Sequence, residues 1–218
     1  MSPDLSQVPS SSRLPRILIA ENNFSTVDSL IRTFRDRRLE LDYDVCSSHN
    51  HAVTKIFHFP PHYQMVISNV HLAEVKDFLL IKHNRNMQPF VPFVVTVSGS
   101  ETESSRRALE EGAFDFITTP LESEETVATI RLALWQSRLL TLIASNERAT
   151  EKYREHMAAY PFGNDMDDHF KKTLSAIQQS ILSYHQSLLQ VEGFADLATE
   201  VKARARKRAL ERLDKLSK

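Results

Sequence analysis

The residues most able to do chemistry in this chain are its histidines, because imidazole is both a metal ligand and a nucleophile. His49, His51, His58 and His62 fall in one short stretch. His58 and His62 are four apart, but Pro60 and Pro61 stand between them and break any helix that would align them. The group therefore reads as separate histidines, and no metal or other cofactor is expected. His185, within SYHQSLLQ, could take up a phosphoryl group from a helical surface. No flanking residues stand ready to make it nucleophilic, so a surface histidine is the plainer reading and phosphotransfer an alternative. A third signal is cationic: Lys202, Arg204, Arg206, Lys207, Arg208, Arg212, Lys215 and Lys218 crowd the last segment, against Glu200, Glu211 and Asp214. Such a helix could meet nucleic-acid phosphates. It lacks interleaved aromatics, and positive charge near a helix C-terminus also favours the helix itself, so a solvated face is the plainer reading and nucleic-acid binding an alternative.

The elements that must position these groups fall into two kinds. Between residues 16 and 120, short apolar runs alternate with helical patterns. RILIA, LDYDVC, QMVIS, PFVVTV and AFDFIT read as strands. FSTVDSLIRTFRDRR, HNHAVTKIFHF, AEVKDFLLIKHNR and ETESSRRALEEG read as helices, the last stopped by Gly112. Five strands alternating with helices predict an α/β fold, a doubly wound parallel sheet covered on both faces. Such sheets bind ligands beyond the carboxyl ends of their strands. That directs attention to Ala20 to Asn23, Ser68 to His71, Val97 to Ser100 and Thr118 to Pro120.

From Leu121 the pattern becomes helical, with no Gly or Pro until Pro161. Leu132, Leu139, Asn146, Tyr153 and Tyr160 form one set spaced by seven, and Trp135, Leu142, Ala149 and His156 a second. That heptad predicts a coiled coil and a homodimer, with Asn146 as a polar register-setting residue in the seam. A turn at 161–168 then leads to two amphipathic segments, expected to form an α-helical hairpin. The expected organisation is a disordered tail over 1–14, a domain over 15–138, a continuation of its last helix over 139–160 and the hairpin over 161–218. The formal net charge of −1 favours neither nucleic acid nor membrane as a partner of the whole molecule. No run is long or apolar enough to span a bilayer. Cys46 stands alone, so no internal disulfide forms. A soluble, cytoplasmic protein is expected.

The motifs ILIAENN, MVISNVHL, PFVVTVSGS and EEGAFDFITTPLESEE, in that order, carry a family resemblance. Residues 16 to about 138 resemble the receiver domain of bacterial response regulators, the flavodoxin-like (βα)5 fold typified by CheY. The resemblance implies two acids after the first strand that hold Mg²⁺, and an aspartate after the third that accepts a phosphoryl group. It also implies a hydroxyl after the fourth strand and a lysine before the proline, both contacting the phosphoryl oxygens. In this chain the acidic pair falls on Glu21 and Asn22, and the acceptor on Asn69. The hydroxyl falls on Val97, with Ser98 in register only if the loop shifts by one, and the lysine on Thr119. Two carboxylates and the lysine are lost together. Glu74 or Asp77 could reach the pocket mouth as substitutes, although acids at a helix start more often compensate its dipole.

The resemblance thus implies a degenerate pseudo-receiver in two-component signalling that is neither an enzyme nor a phosphate acceptor. Its expected output is binding to protein partners, through the surface of the fourth strand, fourth helix and fifth strand or through the long helix.

Overall fold

The computed structural model describes residues 14–57, 63–159, 196 and 198–216. Its strands are β1 Arg16–Ala20, β2 Asp42–Cys46, β3 Met65–Asn69, β4 Phe93–Ser98 and β5 Asp115–Thr119. Helices α1 Phe24–Asp36, α2 His49–Phe57, α3 Val70–Met87 and α4 Thr102–Glu111 alternate with them, and α5 runs Ser123–Ala159. A sixth helix, α6, spans 198–216. The strands form one parallel sheet in the order β2-β1-β3-β4-β5, the flavodoxin-like form of the doubly wound fold.

Alternation along the strands splits the core into two layers. Ile17, Ile19, Met65, Ile67, Val94 and Ile117 face a cluster that includes Val27, Leu30 and Phe34 of α1 and Ile130 and Ala133 of α5. Leu18, Ala20, Val66, Val95, Val97 and Phe116 face the opposite cluster, with Ile56, Phe78, Ile81 and Leu109. Because both faces are covered, the inner strands read as continuous apolar runs. Cys46 closes β2 as a small buried residue, and burial pushes its thiol up to about 11.

Helix termini follow local chemistry. Asn23 caps α1, its side chain accepting from the N–H groups of Ser25 and Thr26. Asn69 does the same for α3, which therefore starts three residues before the apolar periodicity predicts. Gly112 ends α4 in the left-handed region, with φ of 114°. A Cβ there would lie 3.3 Å from Arg85 Cδ on a backbone that side chains rarely adopt. Gly112→Ala is expected to cost about 1–2 kcal/mol, read as a lower urea midpoint with unchanged slope; an unmoved midpoint would refute the strain.

Helix α5 continues unbroken to Ala159, a length of about 55 Å. Its first part does not present the expected seam to solvent. Leu139 is 1% exposed, and Leu132 and Trp135 pack against the domain's own core. The reason is that one stripe of an amphipathic helix cannot serve both its own sheet and a second chain. The side chains of Leu142, Asn146, Ala149 and Tyr153 lie outside the described ones. The tail 1–13, His58, His62 and the first arm of the expected hairpin with His185 also lie outside the described residues. Among the described residues no helix is long and apolar enough to cross a membrane.

Candidate functional site

The parallel register brings the ends of β1, β3 and β4 to one level. Ala20 pairs with Ser68, and Asn69 with Thr96. Glu21, the next residue after β1, is 3% exposed. Its Oε1 accepts from Asn69 Nδ2 at 3.0 Å and from the Asn23 backbone N–H at 2.9 Å. Its Oε2 accepts from Thr96 Oγ1 at 2.7 Å. The carboxylate is thus held by three donors from three segments.

The amide of Asn69 is used at both ends. While Nδ2 donates to Glu21, Oδ1 accepts from the His71 N–H at 2.9 Å. Turning the amide over would set oxygen against carboxylate and NH₂ against N–H, so this arrangement admits one orientation. An aspartate could fill the cap but could not donate to Glu21.

The other expected site residues fall elsewhere. Val97 is buried in the apolar cluster. The hydroxyl that reaches the pocket is that of Thr96, one residue before the expected position. The signal that finds it is the pairing of β4 with β3, which sets Thr96 opposite Asn69. Thr119 donates its hydroxyl to the Val97 carbonyl at 3.2 Å. Asn22 is exposed. Ser68 is buried with its hydroxyl on the Asn69 carbonyl. Asp77 pairs with Lys82 at 2.7 Å and Arg107 at 3.5 Å, which holds its carboxyl below the usual range through the Lys82 hydrogen bond. His49 is buried, its Nδ1 3.0 Å from the Leu72 carbonyl, while His51 is exposed.

A second carboxylate lies on the neighbouring loop. Glu101 accepts from the Ser98 N–H at 2.6 Å and pairs with His71. Burial works against this charge, but the Ser98 hydrogen bonds and His71 outweigh it and hold the carboxyl below its ordinary pKa. An internal anion thus ties the β4–α4 loop to the start of α3.

These residues do not fit a divalent cation. Mg²⁺ demands a near-octahedral oxygen shell, commonly with one or two carboxylates. The Glu21 carboxylate is already taken by three donors, and Asn69 turns its nitrogen toward it. Among the described residues no group of three or more His, Cys, Asp or Glu side chains is placed to hold a metal.

No protein-family model matches the chain. It is 25% identical over 113 residues to the DNA-binding transcriptional regulator NtrC of Proteus hauseri, covering 51% of this chain and 24% of that protein. It is 25% identical over 127 residues to the transcriptional regulatory protein DltR of Streptococcus agalactiae, covering 57% of this chain and 54% of the relative. The chain therefore spans about a quarter to a half of the length of these curated relatives. Among solved structures, the signal receiver domain of an HD domain-containing protein from Pseudomonas fluorescens matches with a TM-score of 0.51 and 18% identity. That match covers 60% of this chain and 94% of the solved one, and it establishes the fold.

Proposed function

We propose, from the premise of a response-regulator receiver-type domain with its phosphoryl-handling groups replaced, that this chain is a phosphorylation-independent, non-enzymatic adaptor in two-component-type signalling. The observation that carries this reading is the closed network of Glu21, Asn69 and Thr96. It has an amide in place of the acceptor and no open carboxylate for a metal. Ordinary receivers switch because a ligand binds one of two states better than the other. Here the Glu101 carboxylate, which meets Ser98 and His71, supplies an anion of the chain's own between the loops, and on this reading the domain works by binding proteins. We place self-association on the part of α5 from Leu142 onward, where the heptad of Asn146, Ala149 and Tyr153 continues beyond the residues used by the core.

Nucleic-acid binding through α6 is less well supported, although one relative is a DNA-binding regulator. Arg204, Lys207, Arg208 and Arg212 each meet a carboxylate of this same chain. A binding constant for duplex DNA that fell steeply with salt would favour that reading instead.

The test is intact-protein mass spectrometry after incubation with acetyl phosphate or phosphoramidate, each with Mg²⁺. No adduct is expected under conditions that label an ordinary receiver. A single adduct on a carboxylate, or on His185, would overturn the reading.

A further inference from the structure

The strand β5 is the outer strand of the sheet, paired with β4 alone. Its free edge would expose backbone groups that invite pairing. The edge is covered by α6. Ala209 and Leu213 join the apolar cluster that holds Leu109, Ala113 and Phe116. Val201 and Ala205 join the opposite one, with Phe114, Ile130 and Ala133. The helix therefore straddles the sheet edge between α4 and α5, and its small residues let it lie close.

At the centre of this contact is Asp115, 0% exposed. Its Oδ1 accepts from the Phe116 N–H at 2.8 Å and from Arg212 Nη1 at 3.2 Å. Its Oδ2 accepts from Thr129 Oγ1 at 3.1 Å and from Arg208 Nη2 at 3.2 Å. Arg212 also donates to the Phe116 carbonyl at 3.0 Å, lies 4.2 Å from the centre of the Phe116 ring and pairs with Glu125. Two arginines one helical turn apart thus read one buried carboxylate and the polar edge beside it.

We infer that this groove is a recognition site for an amphipathic helix with a small-residue stripe and two arginines four residues apart. Its cis occupant is α6, which a partner helix of the same pattern displaces. Emptying the site is costly, because it leaves an unpaired carboxylate among apolar side chains. The site therefore selects a replacement that brings its own guanidinium groups, and an apolar helix without them does not serve. Among the described residues, α6 adds no strand to the sheet. Its covalent connection to the rest of the chain gives it a concentration advantage over a free competitor. The inference concerns a face separate from the pocket and stands whether or not the pocket takes a phosphoryl group.

The test uses the full chain and a fluorescent peptide of residues 198–216. The double variant Arg208→Ala with Arg212→Ala weakens the resident helix but keeps Asp115. It is expected to bind the peptide roughly tenfold or more tighter than the wild-type chain, whose own α6 competes. Adding Asp115→Asn to that variant should abolish the gain, as should a peptide with both arginines replaced by alanine. Equal binding to the double variant and the wild type, or binding indifferent to Asp115, overturns the inference. Should the double variant not fold, hydrogen exchange on the wild type decides. Amides of α6 that exchange faster than those of β3 show a helix that opens separately. Exchange of both only through the same global opening overturns the inference.

Discussion

Glu21→Ala is expected to lower the stability of the domain by about 3 kcal/mol or more, because three donors lose their shared acceptor at once. These are Asn69 Nδ2, Thr96 Oγ1 and the Asn23 N–H, all within 3.0 Å of a carboxylate that is 3% exposed. The sign is the informative part. In a pocket crowded with carboxylates, removing one relieves repulsion and stabilises the fold. Here the carboxylate is the hub of a satisfied network, so removing it destabilises. Glu21→Gln separates hydrogen bonding from lost volume: its Oε1 can still accept from Asn69 and Asn23 while its NH₂ donates to the Thr96 hydroxyl, so it should cost much less than alanine. Urea denaturation of the three chains checks this, and a Glu21→Ala midpoint at or above that of the wild type would sink the closed network.

Asn69→Asp is expected to cost about 2–4 kcal/mol at mildly alkaline pH, through a lost buried hydrogen bond and two carboxylates in contact. The distance at issue is the 3.0 Å between Asn69 Nδ2 and Glu21 Oε1. The new carboxyl would have a raised pKa in the folded state, because Glu21 opposes its ionisation. A raised folded pKa binds the proton more tightly in the native chain, so the cost is full above that pKa and shrinks as pH falls through it. Two adjacent carboxylates also make a better oxygen pair for a divalent cation. Millimolar Mg²⁺ should therefore raise the melting temperature of the variant and leave the wild type unmoved. A wild-type melting temperature that climbs with Mg²⁺ would show that the native pocket takes the metal after all.

The strands were legible because burial on both faces writes itself as apolar runs such as RILIA and MVISN. The amide at Asn69 was legible too, since it stands where a buried strand meets a loop. What it does was not: the donor that matches its nitrogen is set by a contact 48 residues away. Thr96 is not legible from the motif because a motif gives a position along the chain, whereas the pocket is set by which residue faces Glu21 across paired strands. The heptad in α5 was real as a pattern, but Leu132, Trp135 and Leu139 spend it on the chain's own core. The basic last helix read as solvated because nothing local shows that Arg208 and Arg212 turn inward. The available clue was Asp115, a carboxylate set between Phe114 and Phe116 in an otherwise apolar strand, which requires a cation from somewhere.

That cation arrives late. Arg212 follows Asp115 by 97 residues, so on a ribosome adding about 5–20 residues per second β5 is finished roughly 5–20 s before its partner exists. Throughout that interval the nascent sheet carries a bare edge and an uncompensated carboxylate. An exposed edge of that kind is open to pairing with other chains and is the sort of surface that chaperones cover. A chain whose translation stops before α6 is therefore expected to be recovered in lower soluble yield than the full chain, as expression of the two side by side would measure.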